Sequence, residues 1–186
     1  MNRRCLPRSG PQPLQPAPTD LTGARALAAH DKYQFQWWAL DRIGAQPVAG
    51  KKKGADHGID GVIPFVASNR GEYKRAIVSV KGGGNTGVAM VCDLIGVLDR
   101  EKEPIGVLLS LDPPTGPMAT EAAAAGTYHS DLWQHSYPRV QILTVADVLA
   151  GKRVQMPPAQ SPFAQAPLER EKAQQLVIHH EQLTLE

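Results

Sequence analysis

The sequence predicts an α/β domain in which a mixed β-sheet carries helices on both faces. Three observations point to it. Val62–Val66 and Ala76–Val80 are short runs rich in β-branched residues, joined by a segment with the turn residues Asn69 and Gly71, which is the pattern of a hairpin. Ile105–Leu111 is a continuous apolar run between Pro104 and Pro113, the pattern of a strand buried on both faces and paired in parallel. Between them Val88, Val91, Leu94, Ile95 and Leu98 recur at helical spacing, so Val88–Lys102 is an amphipathic helix. A hairpin followed by alternating helices and strands closes into a mixed sheet.

Taken from the N-terminus, residues 1–20 are a Pro-rich tail, with Pro7, Pro11, Pro13, Pro16 and Pro18 and few large apolar groups, expected to be disordered or extended. The domain proper spans 21–156. Asp20 or Thr22 caps a helix that runs to about Ile43, with Gly44 as its stop. Tyr33, Trp37, Leu40 and Gly44 share one face of it; Phe35, Trp38, Ala39 and Arg42 share a neighbouring one. So wide an arc packs against a sheet and leaves one aromatic edge over. The adjacent Trp37 and Trp38 either anchor the core or stack on a base.

Further on, Thr120–Gly126 is alanine-rich and reads as a short helix stopped by Gly126. Val140–Leu143 is a strand, and Thr144 caps a last helix over Val145–Ala150 that Gly151 ends. Residues 157–186 are proline- and glutamine-rich, then weakly helical over Leu168–Leu183, and are expected to be a flexible or partner-bound tail.

Composition narrows the setting. The net charge of +2 does not announce a nucleic-acid binder, so any basic surface is local, as at Lys51, Lys52 and Lys53. Cys5 and Cys92 cannot build a framework of bridges, which fits a reducing compartment. No apolar run reaches the ~18 residues of a membrane span. The basic start MNRRCLPRSG has no apolar stretch behind it, unlike a secretory signal. A cytoplasmic protein with no membrane partner is expected.

The stretch from Gly54 to Gly84 carries the candidate chemistry. Asp60 ends a short loop before the first strand of the hairpin, and Lys81 ends the second strand. A carboxylate is a hard ligand for a divalent cation, and a lysine beside it stabilises charge on a phosphate or positions a water. The same spacing also suits a turn aspartate and a solvated strand end. Lys51–Lys53 are either a solvated surface or a phosphate-attracting patch. Gly82–Gly87 opens a helix and is either a flexible turn or a loop whose backbone N–H groups meet a phosphate, Gly82 and Gly83 first. Its spacing is that of neither a P-loop nor a dinucleotide fingerprint. Asp112-Pro113-Pro114-Thr115 is read as a turn; Thr115 stands where an amino-methyltransferase motif needs an aromatic residue. The six histidines show no zinc spacing with Cys5 or Cys92, and His57, near Asp60, is read as a solvated loop residue.

The blocks GIDG (Gly58–Gly61), IVSVKGG (Ile77–Gly83), Leu94 with Gly96, IGVLLSL (Ile105–Leu111), PMATEAAAAG (Pro117–Gly126) and VQILTVADVLAG (Val140–Gly151) together resemble the restriction-endonuclease-like domain of the Mrr type. This is a branch of the PD-(D/E)xK nuclease superfamily, and the similarity spans about 21–156. The blocks KYQFQWWAL (Lys32–Leu40), IGAQPV (Ile43–Val48) and KKGADHGIDG (Lys52–Gly61) are similar to the domain at the C-terminal end of certain bacterial site-specific DNA methyltransferases. The resemblance implies a restriction-endonuclease-like mixed β-sheet flanked by helices, with DNA as partner and a DNA methyltransferase as a second one. It implies Mg²⁺-dependent hydrolysis of DNA, with Asp60 as metal ligand and Lys81 as the motif lysine. The residue two before the lysine is Glu or Gln in the family pattern and Ser79 here. Asp56 is close enough in sequence to compensate in part. For the Glu that the first helix often adds, this chain offers Asp31, Gln34 and Gln36. One firm carboxylate leaves open a catalytically degenerate DNA-binding or targeting module, a detached fragment of such a methyltransferase.

Overall fold

The computed structural model describes residues 17–48, 58–68, 72–84 and 86–158. Both tails lie almost wholly outside the described residues, as do Lys51, Lys52, Lys53, Asp56, His57, Asn69 and Gly71.

The sheet is mixed, as expected. Five strands lie in the order β1-β2-β3-β4-β7: β1 is Gln46–Pro47, β2 Gly61–Val66, β3 Tyr73–Lys81, β4 Ile105–Ser110 and β7 Val140–Thr144. β2 and β3 pair antiparallel, with Gly61 opposite Val78 and Val66 opposite Tyr73. β3–β4 and β4–β7 are parallel. Pro64 is tolerated in β2 because β1 covers only Gly61 and Val62, so the proline sits on an open edge. Every residue of β4 is buried, which is why its sequence is a run of apolar groups without alternation.

Helices cover both faces. On one side lie α1 (Leu21–His30), α2 (Lys32–Arg42) and α5 (Val145–Leu149). Their Leu27, Phe35, Leu40 and Val145 pack on Ala76, Val78, Val107 and Leu109 of the sheet. On the other lie α3 (Val88–Glu101) and α4 (Gly116–Ala124), whose Val91, Leu94, Leu98 and Met118 pack on Ile77, Leu108 and Val140. The alternation along β3, Ala76 and Val78 to one side and Ile77 to the other, decides which way Ser79 and Lys81 face: with Ile77.

Three expectations are corrected. The first helix is two helices. Asp31 is extended (φ −143°, ψ 102°) and serves both: its N–H donates to the Leu27 carbonyl, and its carboxylate accepts from the Tyr33 and Gln34 amides. An aspartate that ends one helix and caps the next outcompetes a continuous helical pattern. The alanine-rich helix starts earlier, at Gly116, since Pro117 suits a first turn. Last, a small hairpin, β5 (Thr127–Ser130) with β6 (His135–Pro138), occupies a segment for which no element was expected. Among the described residues no helix is long and apolar enough to cross a membrane.

Candidate functional site

The site forms because β3 outruns β2. Asp60 stands just before β2, its N–H donating to the Val78 carbonyl at 2.9 Å and its carbonyl accepting from Val48 at 3.1 Å. Backbone groups of alternate residues point the same way along a strand, so the Val80 N–H also faces β2, where no backbone partner remains. The Asp60 carboxylate takes its place: Oδ2 accepts from the Val80 N–H at 2.6 Å and from the Ser79 hydroxyl at 3.4 Å. The side-chain amide of Gln36, on α2, donates to Oδ1 at 3.0 Å. Three donors thus converge on one carboxylate, which fixes its orientation at the mouth of the hairpin.

Lys81 follows two residues after Ser79 and therefore leaves the same face of β3. Its carbonyl accepts from Leu111 at 2.9 Å, which ties the strand end to β4. Its side chain is half-buried, and among the described residues its ammonium has no hydrogen-bond or ion-pair partner. Ser79 is 5% exposed, so its hydroxyl opens inward to Asp60 rather than to solvent.

The expected residues therefore sort as follows. Asp60 and Ser79 touch, and Lys81 flanks them. Of the candidates on the first helix, Gln36 reaches Asp60, whereas Asp31 is used as a cap. Gly82 and Gly83 sit at the same corner, but Gly82 has a packing reason for lacking a side chain: a Cβ there would lie 3.2 Å from the Phe35 ring. Gly83 and Gly84 have φ of 99° and 94°, the left-handed region that favours glycine. The loop leads to α3, whose first turn has no side-chain cap. The Asp112–Thr115 segment is a structural turn, as expected. Asp112 pairs with Arg25 at 2.8 Å, binding α1 to the end of β4. Sequence reasoning did not find the Val80 amide; the register of the hairpin, invisible in residue types, creates it.

Mg²⁺ takes oxygen ligands and keeps most of its waters, so one carboxylate can hold it. Asp60 Oδ1 has one acceptor position left beyond Gln36, and Oδ2 is already doubly engaged. Among the described residues no three His, Cys, Asp or Glu side chains gather around a common point. This donor set fits a loosely held, largely hydrated ion at Asp60 and not a tightly caged one. A hollow of about 460 Å³ between α4 and β7 includes none of these residues. Comparisons with protein-family models, with curated proteins and with solved structures found no match.

Proposed function

We propose that the chain is a DNA-binding domain of the restriction-endonuclease-like kind, of the Mrr branch, whose Asp60–Lys81 corner meets the phosphodiester backbone and whose reaction is Mg²⁺-dependent hydrolysis. The observation that carries it is the meeting of Asp60 and Ser79, with Lys81 on the same strand face, at one end of the sheet. When bound, Mg²⁺ would polarise a phosphoryl oxygen and make its bound water more acidic. The chain's own residues would do the rest. Asp60, held by three donors, offers one remaining oxygen position without having to reorganise. The unpaired Lys81 ammonium balances charge on a phosphate. The Gly82 and Gly83 amides and Lys51–Lys53 extend the backbone contact along the strand. The same reading proposes a cytoplasmic protein with a DNA methyltransferase as companion in a restriction-modification setting.

A second reading has its own observation. Ser79 brings a neutral hydroxyl where the family pattern has Glu or Gln, and that hydroxyl is already bonded to Asp60. This favours a degenerate module that binds DNA and delivers a methyltransferase without cutting. Supercoiled plasmid, methylated and unmethylated, separates the two when incubated with Mg²⁺ or Mn²⁺. Nicking by the wild type, lost in both Asp60→Ala and Lys81→Ala, supports hydrolysis. Salt-sensitive duplex binding with no nicking in either metal supports the second reading. A chain that neither binds nor nicks DNA overturns both.

A further inference from the structure

β7 is the outer strand of the sheet among the described residues: β4 lies on one side of it and no described strand on the other. The Gly106 N–H donates to the Arg139 carbonyl at 2.8 Å, and Gly106 stands opposite Val140. Main-chain groups alternate in direction along a strand, so Gln141 and Leu143 bond to β4 while Val140, Ile142 and Thr144 face outward. Thr144 gives its outward N–H to the Asp147 carboxylate at 2.9 Å. The outward N–H and C=O of Ile142 have no partner among the described residues. The Ile142 side chain packs against the core under α3 and α4, so these two groups are held in place.

The two edges of the sheet differ. β1 ends in Pro47, and Pro64 stands where β2 is uncovered. A proline withholds a donor and blocks further pairing. Val140–Thr144 contains neither proline nor charge. Its outer side opens into the hollow of about 460 Å³, which is lined by Val140–Leu143. One wall is α4, where Ala119 and Ala123 stand one turn apart and leave room. The other wall is the segment after α5, with Lys152 and Arg153, and no carboxylate lines the hollow. The walls belong to opposite faces of the sheet: Met118 of α4 packs with α3, and Val154 packs with α1, α2 and α5. A side chain holds the second wall to β7. The Gln141 amide donates to the Gln155 carbonyl at 2.6 Å, and its oxygen accepts from the Gln155 N–H at 2.8 Å. Lys152 reaches Asp147 at 3.6 Å, whereas Arg153 has no partner among the described residues.

We infer that the β7 edge is a docking groove for an extended segment of a partner protein, which pairs with Ile142 as a further strand and alternates acidic with apolar side chains. The inference does not rest on the DNA-binding function proposed above. The free N–H and C=O of Ile142 select extended backbone, because a strand presents the complementary acceptor and donor together. The alternation follows from the two walls. Successive side chains of an added strand point to opposite faces, so one set meets Ala119 and Ala123 and the other meets Lys152 and Arg153. The first set is apolar and the second acidic by charge complementarity. Val140–Leu143 gives a floor of about 13 Å, enough for about four residues of strand. A second copy of this chain suits the groove less. Pairing through both β7 edges about a two-fold axis would place Lys152 and Arg153 of both chains on one face of the joined sheet.

The test measures fluorescence anisotropy of a labelled heptapeptide of alternating glutamate and valine with the full chain, beside a peptide in which lysine replaces each glutamate. Two further peptides carry N-methyl groups, one on the valine amides and one on the glutamate amides. The proteins are the wild type, Ile142→Pro and Arg153→Glu. Thermal melts check each fold; Ile142→Pro removes a donor that β4 does not use, so the sheet should survive it. The wild type is expected to bind the glutamate peptide and prefer it to the lysine peptide. Ile142→Pro should weaken that binding about tenfold or more. Arg153→Glu should narrow the preference roughly two- to tenfold. Only alternate amides of an added strand face β7, so methylation of one set should abolish binding and methylation of the other should spare it. If the wild type binds neither charged peptide, the groove is overturned. If binding ignores Ile142→Pro and both methylated sets, no strand is added and the inference falls. If the wild type is a dimer in sedimentation that Ile142→Pro dissociates, the edge joins copies of this chain and the partner segment is overturned.

Discussion

The Asp60 carboxylate meets the Val80 amide at 2.6 Å, across the point where β2 stops and β3 continues. One side chain here has two duties. It satisfies a backbone donor that the hairpin register leaves without a partner, and its other oxygen, which accepts from Gln36, keeps one acceptor position free. The first duty accounts for the local structure without any ligand. The second makes the corner a candidate for phosphate chemistry.

The structural duty can be measured separately from activity. Asp60→Ala removes the acceptor and strands the Val80 N–H, a loss of about 1–3 kcal/mol. Asp60→Asn keeps a side-chain carbonyl for Val80 and should lose less. Urea denaturation of the three proteins gives the order wild type, Asn, Ala. Equal midpoints for Ala and wild type would show that the carboxylate does not hold the strand end.

Ser79 is the position at which the proposed metal binding can be tested. Ser79→Glu would place a second carboxylate two residues before Lys81, where the nuclease pattern that the sequence resembles has Glu or Gln. The position is 5% exposed, so a longer side chain must push outward past its neighbours. We expect a stability loss of about 1–3 kcal/mol from overpacking. Against that loss, Mn²⁺ binding measured by calorimetry should be tighter than in the wild type, and any plasmid nicking should be faster. A folded Ser79→Glu protein with wild-type affinity for Mn²⁺ would show that the corner does not converge on a cation.

The sheet was legible because its strands announce themselves through different patterns. Ile105–Ser110 is apolar without a break because both its faces are covered. Tyr73–Lys81 is longer than the β-branched run Ala76–Val80 suggests. Its polar beginning pairs with Val66 and Phe65 across the hairpin, and it is held by Arg75, whose N–H and guanidinium both bind Glu103. The break at Asp31 escaped notice because an aspartate in a helical pattern looks the same whether it faces solvent or caps. The β5–β6 hairpin escaped because His129, Ser136 and other exposed polar residues give it no alternating apolar face. At the site, residue type and spacing pointed to Asp60 and Lys81. The Val80 amide and the reach of Gln36 depend on register and helix placement, which residue types do not encode.

Gly61 is a packing requirement of the same hairpin. A Cβ at this position would lie 2.5 Å from Leu40 Cδ2 and 3.1 Å from the Gln46 carbonyl oxygen. Leu40 is fully buried and cannot swing into solvent. Gly61→Ala should therefore destabilise by about 1–3 kcal/mol. Leu40→Ala alone should cost about 2–5 kcal/mol through its cavity. In the double variant the new methyl group enters the space that Leu40 leaves, so the combined loss should fall short of the sum. Strict additivity in a double-mutant cycle would show that Gly61 and Leu40 do not compete for that space.

The last helix offers a pH-dependent check at the same end of the sheet, two strands across from Lys81. Thr144 and Asp147 form a reciprocal cap: the Thr144 hydroxyl accepts from the Asp147 N–H, and Asp147 accepts from the Thr144 N–H at 2.9 Å and hydroxyl at 2.8 Å. The backbone N–H of Thr144, then its hydroxyl, hold the Asp147 carboxyl below its usual range, with Lys152 adding a smaller pull. A carboxylate whose pKa is lower in the folded state stabilises fully above its unfolded value, about 3.9. That contribution is lost as pH falls through the lower folded value. The gap in urea midpoint between wild type and Asp147→Asn should therefore be constant from neutral pH down to about 5 and shrink below about 4. Thr144→Ala, measured at neutral pH, should cost about 1 kcal/mol. A midpoint gap that stays the same into acid would mean that the Asp147 charge does not support the cap.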